Sequence, residues 1–479
     1  MERHESIYYR DFQARAQGTD MQLRHMLTMA VVTLVVACTM HANAGSASPK
    51  EDYLREPLPP GFQVIITELE GPVFADAQGH TLYTWPSQQQ RNGNVGEAAG
   101  KPECYDIHYR ETAGTSIPYP AGLELPNADH RPTCVQYWPP MLAATGSKPV
   151  GNFSIVDRTD GTKQWAYRGY ALYRSHLDQN PGETYGGTMR SAGKDPVSGS
   201  KRRPAKPAPL VPPQFGVASM FLGRLLVTDT QYSVYAYDQD TPTKSNCIGA
   251  CAVDFEPMLA SDTAVTTGEW SVVERQGGRK QWTFRGKPLY RYLKDSKERS
   301  YEGSDVPGWH NVFMQSGPRF PKGFQAVDTD GGQVLADSHG KTLYFYLCVE
   351  DTLDSLLCDT PDASQEYRWA VCGGGDPARC VQTFPYVIAD KNAKSDSIAW
   401  SIRDIDPKTG RYLPAGTPGA LHIWAYRGRP IYTFARDRAP GDIKADTWGE
   451  GWGEKNGFSA FWVRDLFYGN SATSRSGID

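Results

Sequence analysis

A six-residue pattern, Tyr-x-aromatic-x-x-Asp, places the residue types of a binding platform at a fixed spacing. On a β-strand, residues two apart share a face, so the tyrosine and the aromatic residue would lie side by side. The aspartate would add a hydrogen-bond acceptor, and the group would suit a sugar or an aromatic ligand. Three complete copies give nine ligand-binding candidates: Tyr235, Tyr237, Asp240, Tyr290, Tyr292, Asp295, Tyr432, Phe434 and Asp437.

The same pattern also suits a packing device, because partial copies occur elsewhere in the chain. Tyr173 and Asp178 keep its ends, with Ser175 where an aromatic residue belongs. Residues 83–85 and 344–346 keep the aromatic pair and lack the aspartate. In this interpretation both rings enter the core, while the aspartate begins the next turn and accepts bonds from backbone N–H groups. Six full or partial copies favour packing over ligand binding.

Cysteine content indicates disulfides. The chain has nine cysteines, and one of them, Cys38, lies in an apolar N-terminal segment. An even number in the rest of an exported chain is typical of disulfides. The CxxC pairs of thiolate zinc sites and the CxxCH signature of c-type haem are absent from the sequence. The disulfide candidates are Cys104, Cys134, Cys247, Cys251, Cys348, Cys358, Cys372 and Cys380.

Metal-binding and catalytic patterns are sparse. His108 and His130 share a long loop and form the best metal-ligand pair, although loop histidines are more often solvated. The turns at Asp76, Asp157 and Asp328 lack the spacing of calcium-binding loops, and we interpret them as turn chemistry. The sequence has no nucleophile elbow, P-loop, zinc-protease or dinucleotide signature. We therefore assign no catalytic residue, no metal and no cofactor.

The composition favours an all-β chain with many turns. Among 479 residues there are 47 glycines, 35 prolines, 26 tyrosines, 17 phenylalanines and 12 tryptophans. Glycine and proline interrupt helices, whereas aromatic residues favour strands. A formal net charge of −4 gives no general electrostatic reason to bind nucleic acid.

Residues 1–44 have the character of an N-terminal extension followed by a secretory signal peptide. A short basic head precedes an apolar core over residues 26–40, and Ala-Asn-Ala at 42–44 offers a cleavage site. The core is too short for a permanent transmembrane span. The four residues ending at Cys38 form a loose lipobox, so acylation of Cys38 is the alternative to cleavage after Ala44. Either route predicts export to the periplasm or cell envelope.

Three internal repeats organise the remaining sequence. Each contains an apolar segment, an Asp-containing turn and an aromatic-x-aromatic segment, which predicts β-hairpins over 74–85, 226–237 and 335–346. A cysteine-anchored loop follows, and then three short segments that predict a three-stranded meander. Arg-Gly pairs in the meander are expected at hairpin turns. Each meander shares an inward-facing tryptophan: Trp165, Trp282 and Trp424.

These repeats predict a mainly β chain of three tandem, disulfide-stapled domains, each with a hairpin, a Cys loop and a meander. Repeat domain 1 covers 59–187, repeat domain 2 covers 210–320 and repeat domain 3 covers 321–470. The basic, proline-rich segment 188–209 is expected to be an extended linker. Long loop insertions in the first and third repeats are where a repeat-specific function would lie.

Alignment of the repeats also predicts disulfide pairing. Cys247 and Cys251 lie close together and should pair with each other. Cys104 and Cys134 are then the expanded version of this pair in the first repeat. In the third repeat Cys380 matches Cys134 and Cys251. Its partner is open among three residues: Cys348, Cys358 and Cys372.

These motifs resemble those of the bacterial secreted-repeat lipoproteins that carry a Tyr-x-aromatic-x-x-Asp motif. The matching copies begin at Tyr235, Tyr290 and Tyr432, and the Cys-x3-Cys and Trp-Pro-Pro elements of that family stand at 247–251 and 138–140. The resemblance covers nearly the whole mature chain. It implies an exported, envelope-associated protein and implies no reaction, because the family is of unknown function.

We therefore expect an exported bacterial envelope repeat protein with a non-catalytic binding or scaffold role. Its partner would be an envelope protein, a glycan or a small molecule, and we expect neither nucleic-acid binding nor a transmembrane span. The alternative is an enzyme, or a redox or metal accessory protein, whose site is built from the insertions of the first or third repeat. A convergent cluster of His, Asp and Cys would distinguish the two classes, and spacing along the chain does not reveal one.

Overall fold

Short strands joined by tight turns build the chain, as its glycine, proline and aromatic content predicts. The predicted signal peptide, the His108 and His130 pair and Cys358 lie outside the described residues. The computed structural model describes these ranges: 52–86, 88–90, 93–106, 133–187, 202–348, 366–449 and 456–465.

The first two repeats consist of short strands with one helical turn at the Cys loop. The first repeat contains β1 (Gln63–Thr67), β2 (Gly71–Ala75), β3 (Tyr83–Thr84), β4 (Gln88–Gln90), β5 (Gly93–Val95), α1 (Cys134–Tyr137), β6 (Phe153–Asp157), β7 (Lys163–Tyr167), β8 (Tyr170–Ala171) and β9 (Arg203–Pro204). The second contains β10 (Phe215–Met220), β11 (Gly223–Thr228), β12 (Val234–Tyr237), α2 (Cys251–Asp254), β13 (Phe255–Pro257), β14 (Trp270–Glu274), β15 (Lys280–Phe284), β16 (Lys287–Pro288), β17 (Tyr290–Tyr292), a 3₁₀ turn (Glu302–Asp305), β18 (Trp309–Asn311) and β19 (Phe313–Ser316).

The third repeat has a longer helical segment at its Cys loop. It contains β20 (Gln325–Thr329), β21 (Gly332–Ala336), β22 (Tyr344–Cys348), α3 (Glu366–Gly373), α4 (Pro377–Thr383), β23 (Trp400–Ile405), β24 (Tyr412–Leu413), β25 (Leu421–Tyr426), β26 (Arg429–Tyr432), β27 (Trp448–Gly449), β28 (Asn456–Ala460) and β29 (Trp462–Asp465).

The three repeats share one antiparallel plan. An opening hairpin (β1–β2, β10–β11, β20–β21) is followed by a central strand (β3, β12, β22), and a meander follows the Cys loop (β6–β7–β8, β14–β15–β16, β23–β25–β26). In the third repeat the meander belongs to a seven-stranded sheet that also contains β22 and β28. The predicted mainly β class, with its Cys loops and meanders, is confirmed.

The hairpins predicted over 74–85, 226–237 and 335–346 are wrong: the two strands of each segment lie in different sheets and meet at an isolated bridge, because the central strand pairs with the closing strand instead. The hairpin of each repeat joins the first strand of that segment to the strand before it.

The Arg-Gly pair of each meander forms a two-residue hairpin turn, as predicted. Arg168, Arg285 and Arg427 have φ values of 49°, 51° and 49°, and the glycine after each also has positive φ. Two successive residues with positive φ are typical of the type I′ turn, whose twist matches that of the flanking strands. The arginine is therefore held in a conformation that favours Gly, Asn and Asp.

A closing strand completes each repeat, and in the first repeat the sequence assigned it to the linker. The N–H of Ala205 donates to the carbonyl of Leu82 over 2.7 Å, and the carbonyl of Ala205 accepts from Phe74 over 2.8 Å. Val312 in the second repeat and Phe461 in the third make the equivalent backbone bonds to the second strand of the opening hairpin and to the central strand. Residues 202–209 therefore belong to the first repeat, while 188–201 lie outside the described ranges.

The second repeat contacts both of the others. The ring of Phe221 lies 5.7 Å from that of Tyr426, and the two apolar cores of the third repeat include buried residues of the second. Toward the first repeat, the side-chain amide of Gln315 donates to the carbonyl of Thr67 over 2.8 Å. The described residues, from 52 to 465, cluster as one compact unit.

Disulfides close the Cys loops. Cys104 is bonded to Cys134 and Cys247 to Cys251, which confirms both predicted pairings. In the third repeat Cys380 is bonded to Cys372, which lies in α3, and this settles the partner that the alignment had left open.

Candidate functional site

The motif residues of the second repeat assemble around one tryptophan. Trp309, from the closing strand, stacks on Phe255 with ring centroids 3.5 Å apart and on Tyr237 at 4.6 Å. Tyr290 meets the same indole edge-on at 4.9 Å. We call this arrangement of three rings around a central side chain the aromatic cage.

The third repeat builds the same aromatic cage from different residues. Phe458 occupies the centre, stacked on Phe384 at 3.5 Å. Tyr346 lies 5.2 Å away and Tyr432 meets the central ring edge-on at 5.4 Å. The geometry is thus a property of the repeat, because the same three ring types surround the centre in both repeats while the central residue changes from tryptophan to phenylalanine.

The cage of the first repeat holds a cation. The guanidinium carbon of Arg202 lies 4.4 Å from the centroid of Trp85 and 4.7 Å from those of Trp138 and Tyr173. Arg202 is buried, with Glu97 at 3.9 Å as a buried counter-charge. Cations over aromatic faces gain about 2 kcal/mol or more when desolvated. An arginine therefore takes the place that an aromatic ring takes in the other two repeats.

Three elements position each cage. The central strand supplies one ring, the end of the meander or the segment directly after it supplies the motif tyrosine, and the Cys loop supplies the third ring through a short helical turn. At the end of that turn, the N–H of the ring residue donates to the carbonyl of the half-cystine four residues earlier: Trp138 to Cys134, Phe255 to Cys251 and Phe384 to Cys380. The disulfide thus fixes the helical turn that presents the ring.

The Cys loop is also held from the meander side in two repeats. The guanidinium of Arg158 donates to the carbonyl of Cys104 over 2.8 Å, and Arg275 donates to the carbonyl of Cys247 over the same distance. Each arginine also donates to a glutamine on the middle meander strand. Sequence reasoning missed this contact, although both arginines directly follow an acidic residue at aligned positions.

Every repeat has a tyrosine–carboxylate pair between distant parts of its sequence. The tyrosine belongs to the central strand, and the aspartate ends the motif copy that begins in the meander. The hydroxyl-to-carboxylate distances are 2.6 Å for Tyr83 to Asp178, 2.8 Å for Tyr235 to Asp295 and 2.7 Å for Tyr344 to Asp437. Each pair joins two copies of the pattern, whereas the sequence suggested that tyrosine and aspartate would act within one copy.

A second pair runs in the opposite direction in two repeats. In the second repeat Tyr290 donates to Asp240 over 2.7 Å. In the first repeat Tyr173 donates to Glu97 over 2.6 Å. Glu97 therefore replaces the aspartate that the first motif copy lacks, from a position nine residues beyond the expected one at Gln88.

The third repeat places a cation beside its second motif tyrosine. The guanidinium of Arg368, a buried residue of α3, lies 5.0 Å from the ring of Tyr432 and donates to the hydroxyl of Tyr386 over 2.7 Å. The first and third repeats thus combine aromatic rings with a buried arginine, and the second has a tryptophan centre.

Burial sets the electrostatics of the pairs. It raises the pKa of the Asp178 and Asp295 carboxyls to about 7, and it raises the pKa of Asp240 and Asp437 above the usual range. It also raises the pKa of the Tyr290 phenol to about 12. The tyrosines therefore remain hydrogen-bond donors, and the carboxyls of Asp178 and Asp295 change charge near neutral pH.

Comparison with known proteins bears on the same segments. Residues 154–191, 271–312 and 421–453 match a family described as a secreted repeat of unknown function. The chain carries three secreted repeats. Each match covers most of a meander together with the motif aspartate of its tyrosine–carboxylate pair. No curated protein and no solved structure matches the chain.

In the second secreted repeat, the six candidate residues predicted from the sequence lie in one cluster. Tyr235 and Tyr290 are buried, whereas Tyr237 and Tyr292 are half-buried. Tyr292 stacks on Phe255, the Cys-loop ring of the cage, at 4.6 Å. Asp240 and Asp295 accept the hydroxyls of the two buried tyrosines.

The third secreted repeat buries its three candidates. Tyr432 is part of the cage, and Phe434 lies 4.9 Å from Phe384. Asp437 accepts from Tyr344, and its second oxygen lies within 3.2 Å of the N–H of Lys444. The structure therefore gathers the candidate residues within each repeat and pairs each of the three motif aspartates with a tyrosine hydroxyl.

The aspartate turns act as turn caps. One oxygen of Asp76 accepts the N–H groups of Gln78 and His80, and Asp337 caps the equivalent turn of the third secreted repeat. Within the described ranges no group of His, Cys, Asp and Glu is arranged to hold a metal ion. The His108 and His130 pair falls outside those ranges.

The Cys loop of the second secreted repeat exposes apolar side chains. Ile248 lies between the bonded cysteines and is 52% exposed, and Val253 in α2 is 68% exposed. Leu293, whose N–H donates to the carbonyl of Asp254, is 47% exposed beside the same turn. We call these three residues the apolar loop end.

Proposed function

We propose that this secreted-repeat protein has a non-catalytic binding or scaffold role in the bacterial cell envelope. Three secreted repeats and an N-terminal segment with the parts of a signal peptide support export. No helix in the described ranges has the length and apolar character needed to cross a membrane. Periplasmic release after Ala44 and anchoring by an acylated Cys38 are the two routes that this proposal includes.

The observation that carries the proposal is that the chain fills its own cages. Arg202, Trp309 and Phe458 occupy the three centres, and all three come from closing strands. A filled cage fixes the closing strand against the central strand, the Cys loop and the meander. The conserved geometry thus serves packing, and it gives three preformed units whose outer loops differ.

Binding is proposed at the Cys loops, where the repeats differ most. The bonded cysteines are 30 residues apart in the first repeat, 4 in the second and 8 in the third. The shortest loop has the apolar loop end, and grouped exposed apolar residues are typical of protein contact surfaces. We therefore propose an envelope protein as the partner of the second repeat.

The test measures retention of the purified mature chain on isolated envelope fragments. The variant Ile248→Ser/Val253→Ser/Leu293→Ser removes the apolar loop end without touching a cage. We expect retention to fall about tenfold or more, because buried apolar contacts dominate the binding energy of protein interfaces.

The matched control is Leu142→Ser/Val265→Ser, since these residues are 50% and 76% exposed and lie away from that loop. It should retain wild-type binding, and both variants should keep the wild-type unfolding midpoint. Equal loss in the two variants would contradict a specific contact. Turnover of a substrate, abolished by loop substitutions, would contradict the non-catalytic role.

A further inference from the structure

The closing segment of the first repeat differs from its counterparts in charge. Arg202 stands where the other repeats have Trp309 and Phe458, and an aromatic ring suffices to fill the cage there. Burial of a guanidinium carries a desolvation penalty that an aromatic side chain avoids. The centre of the cage in the first repeat is therefore a cation, although an aromatic ring would be sufficient for packing.

The receiving surface matches this charge with two buried carboxylates. Glu97 faces Arg202, and Glu70 pairs with Lys206, four residues further along the closing segment. We call the surface formed by Trp85, Trp138, Tyr173, Glu97 and Glu70 the repeat-one groove. Its acids are spaced to receive an extended segment with cations at positions i and i+4.

One oxygen of Glu97 is left over inside the groove. Its Oε1 accepts the hydroxyl of Tyr173 and the N–H of Glu103, over 2.6 and 3.1 Å. Its Oε2 is buried and makes no hydrogen bond with any described residue. A buried carboxylate oxygen with this capacity favours a cationic ligand that donates to it directly, whereas the guanidinium of Arg202 lies 3.9 Å from the other oxygen, Oε1.

The closing strand is shortest in the first repeat. Strand β9 has two residues, whereas β18 has three and β28 has five. Pro204, Pro207 and Pro209 also lack the N–H that a sheet partner would accept, and the backbone bonds beyond β9 are made at Ala205 and Ala208. Side-chain recognition therefore adds to a backbone attachment that has few N–H donors of its own.

We propose that the repeat-one groove is a binding site for an extended basic peptide segment with two cationic side chains four residues apart. Residues 202–209 occupy it as an intramolecular ligand, and a partner segment of the same chemistry competes with them. The cellular use of this site rests on the binding role proposed above. Its recognition chemistry is a property of the first repeat alone.

The test uses a fluorescent peptide with the sequence of residues 202–209, Arg-Arg-Pro-Ala-Lys-Pro-Ala-Pro, and the full mature chain. Anisotropy should show binding to the wild type and about tenfold or tighter binding to the Arg202→Ala chain, whose own competitor is weakened. Adding Glu97→Gln to that chain should reverse the gain. The matched control Arg203→Ala, which changes the neighbouring half-buried cation, should bind as the wild type does.

Peptide variants separate recognition from bulk charge. Alanine in place of the first arginine or of the lysine should each weaken binding about tenfold or more, because each removes a cation from a buried carboxylate. A scrambled peptide of equal charge should bind no better than these variants. Hydrogen exchange on the wild-type chain gives a second reading, since saturating peptide should speed exchange of the amides at Arg203, Ala205 and Lys206.

Three results would overturn the proposal: equal binding of the scrambled peptide, no binding to a folded Arg202→Ala chain, and unchanged exchange over the closing segment. Dimerisation through exchanged closing segments without peptide binding would assign the groove to a second copy, and would also overturn it. The envelope-retention test measures only the contribution of the apolar loop end of the second repeat to binding. Failure of the groove is therefore distinguishable from failure of the proposed function.

Discussion

The hydroxyl of Tyr235 donates to the carboxylate of Asp295 over 2.8 Å, across 60 residues of sequence. The hydroxyl of Tyr290 in turn donates to Asp240, so the tyrosine of each copy of the pattern donates to the aspartate of the other copy. The exchange ties the central strand to the turn that follows the meander. It explains why the second repeat contains the pattern twice, because each copy supplies what the other needs.

Removal of the Tyr235 hydroxyl should destabilise the protein. In Tyr235→Phe the Asp295 carboxylate loses its donor in a partly buried site, and we expect the free energy of unfolding to fall by about 1–3 kcal/mol. Denaturant unfolding at about pH 8, where the carboxylate is ionised, measures it. Tyr237→Phe is the control, since that hydroxyl makes no hydrogen bond with any described residue. Equal loss in both variants would show that the pair contributes nothing specific.

The sequence was sufficient for the parts of the fold that local pattern specifies. Alternation, turn residues and cysteine spacing predicted the three meanders, their inward tryptophans and two disulfides. Each of these features is encoded within about thirty residues and recurs in aligned copies. Because three aligned copies of the sequence show the same local pattern, each copy supports the prediction made from the others, and these predictions are confirmed.

The sequence was insufficient for the contacts between distant segments. Glu97 lies outside the six-residue pattern whose missing aspartate it replaces, so spacing gave no signal for it. The closing strand of the first repeat was not recognised from the sequence, because Arg202 is charged where the other repeats have an aromatic residue. Its basic and proline-rich surroundings favour a linker, and burial in the cage overrides that local preference.

The raised carboxyl pKa values predict a pH dependence of stability. Asp178 and Asp295 have a pKa of about 7 in the folded protein and about 3.9 when unfolded. Between these values the folded state holds protons that the unfolded state releases, so stability falls as pH rises through this window. The contribution is complete below about pH 4 and lost above about pH 7.

Substitution isolates this effect from other titrating groups. Asp295→Asn resembles the protonated carboxyl, so the variant should lose less stability than the wild type between about pH 5 and about pH 8 in urea unfolding. Asp160→Asn is the control. Hydrogen bonds from Thr162 lower the pKa of that exposed carboxyl to about 2, so its stabilisation is lost only at lower pH. A wild-type slope in Asp295→Asn would contradict the assignment.

The disulfides should differ in their contribution to stability. In the chain-entropy account, closing a loop of 30 residues stabilises by about 3.5 kcal/mol and a loop of 4 by about 2 kcal/mol. Cys104→Ser/Cys134→Ser should therefore lower the free energy of unfolding more than Cys247→Ser/Cys251→Ser does. Denaturant unfolding of both variants measures the difference. An inverted order, or a melting temperature unaffected by reductant, would refute it.

The ion pair of Arg427 and Glu70 should hold the third repeat to the first. Its atoms are 3.1 Å apart and both side chains are buried, and the same guanidinium donates to the carbonyl of Thr184 over 2.9 Å. In Arg427→Ala the glutamate keeps its pair with Lys206 but loses this guanidinium, and the Thr184 carbonyl loses a donor, so we expect a loss of about 1–3 kcal/mol. Thermal and denaturant unfolding of the full chain measure the loss.

The repeat itself offers the matched control. Arg285 occupies the equivalent turn of the second repeat and pairs with Glu269 over 2.6 Å, with its side chain 44% exposed. Exposed pairs contribute at most about 1 kcal/mol, so Arg285→Ala should cost less. If Arg427→Ala cost no more than Arg285→Ala, burial would not be what distinguishes these two turns.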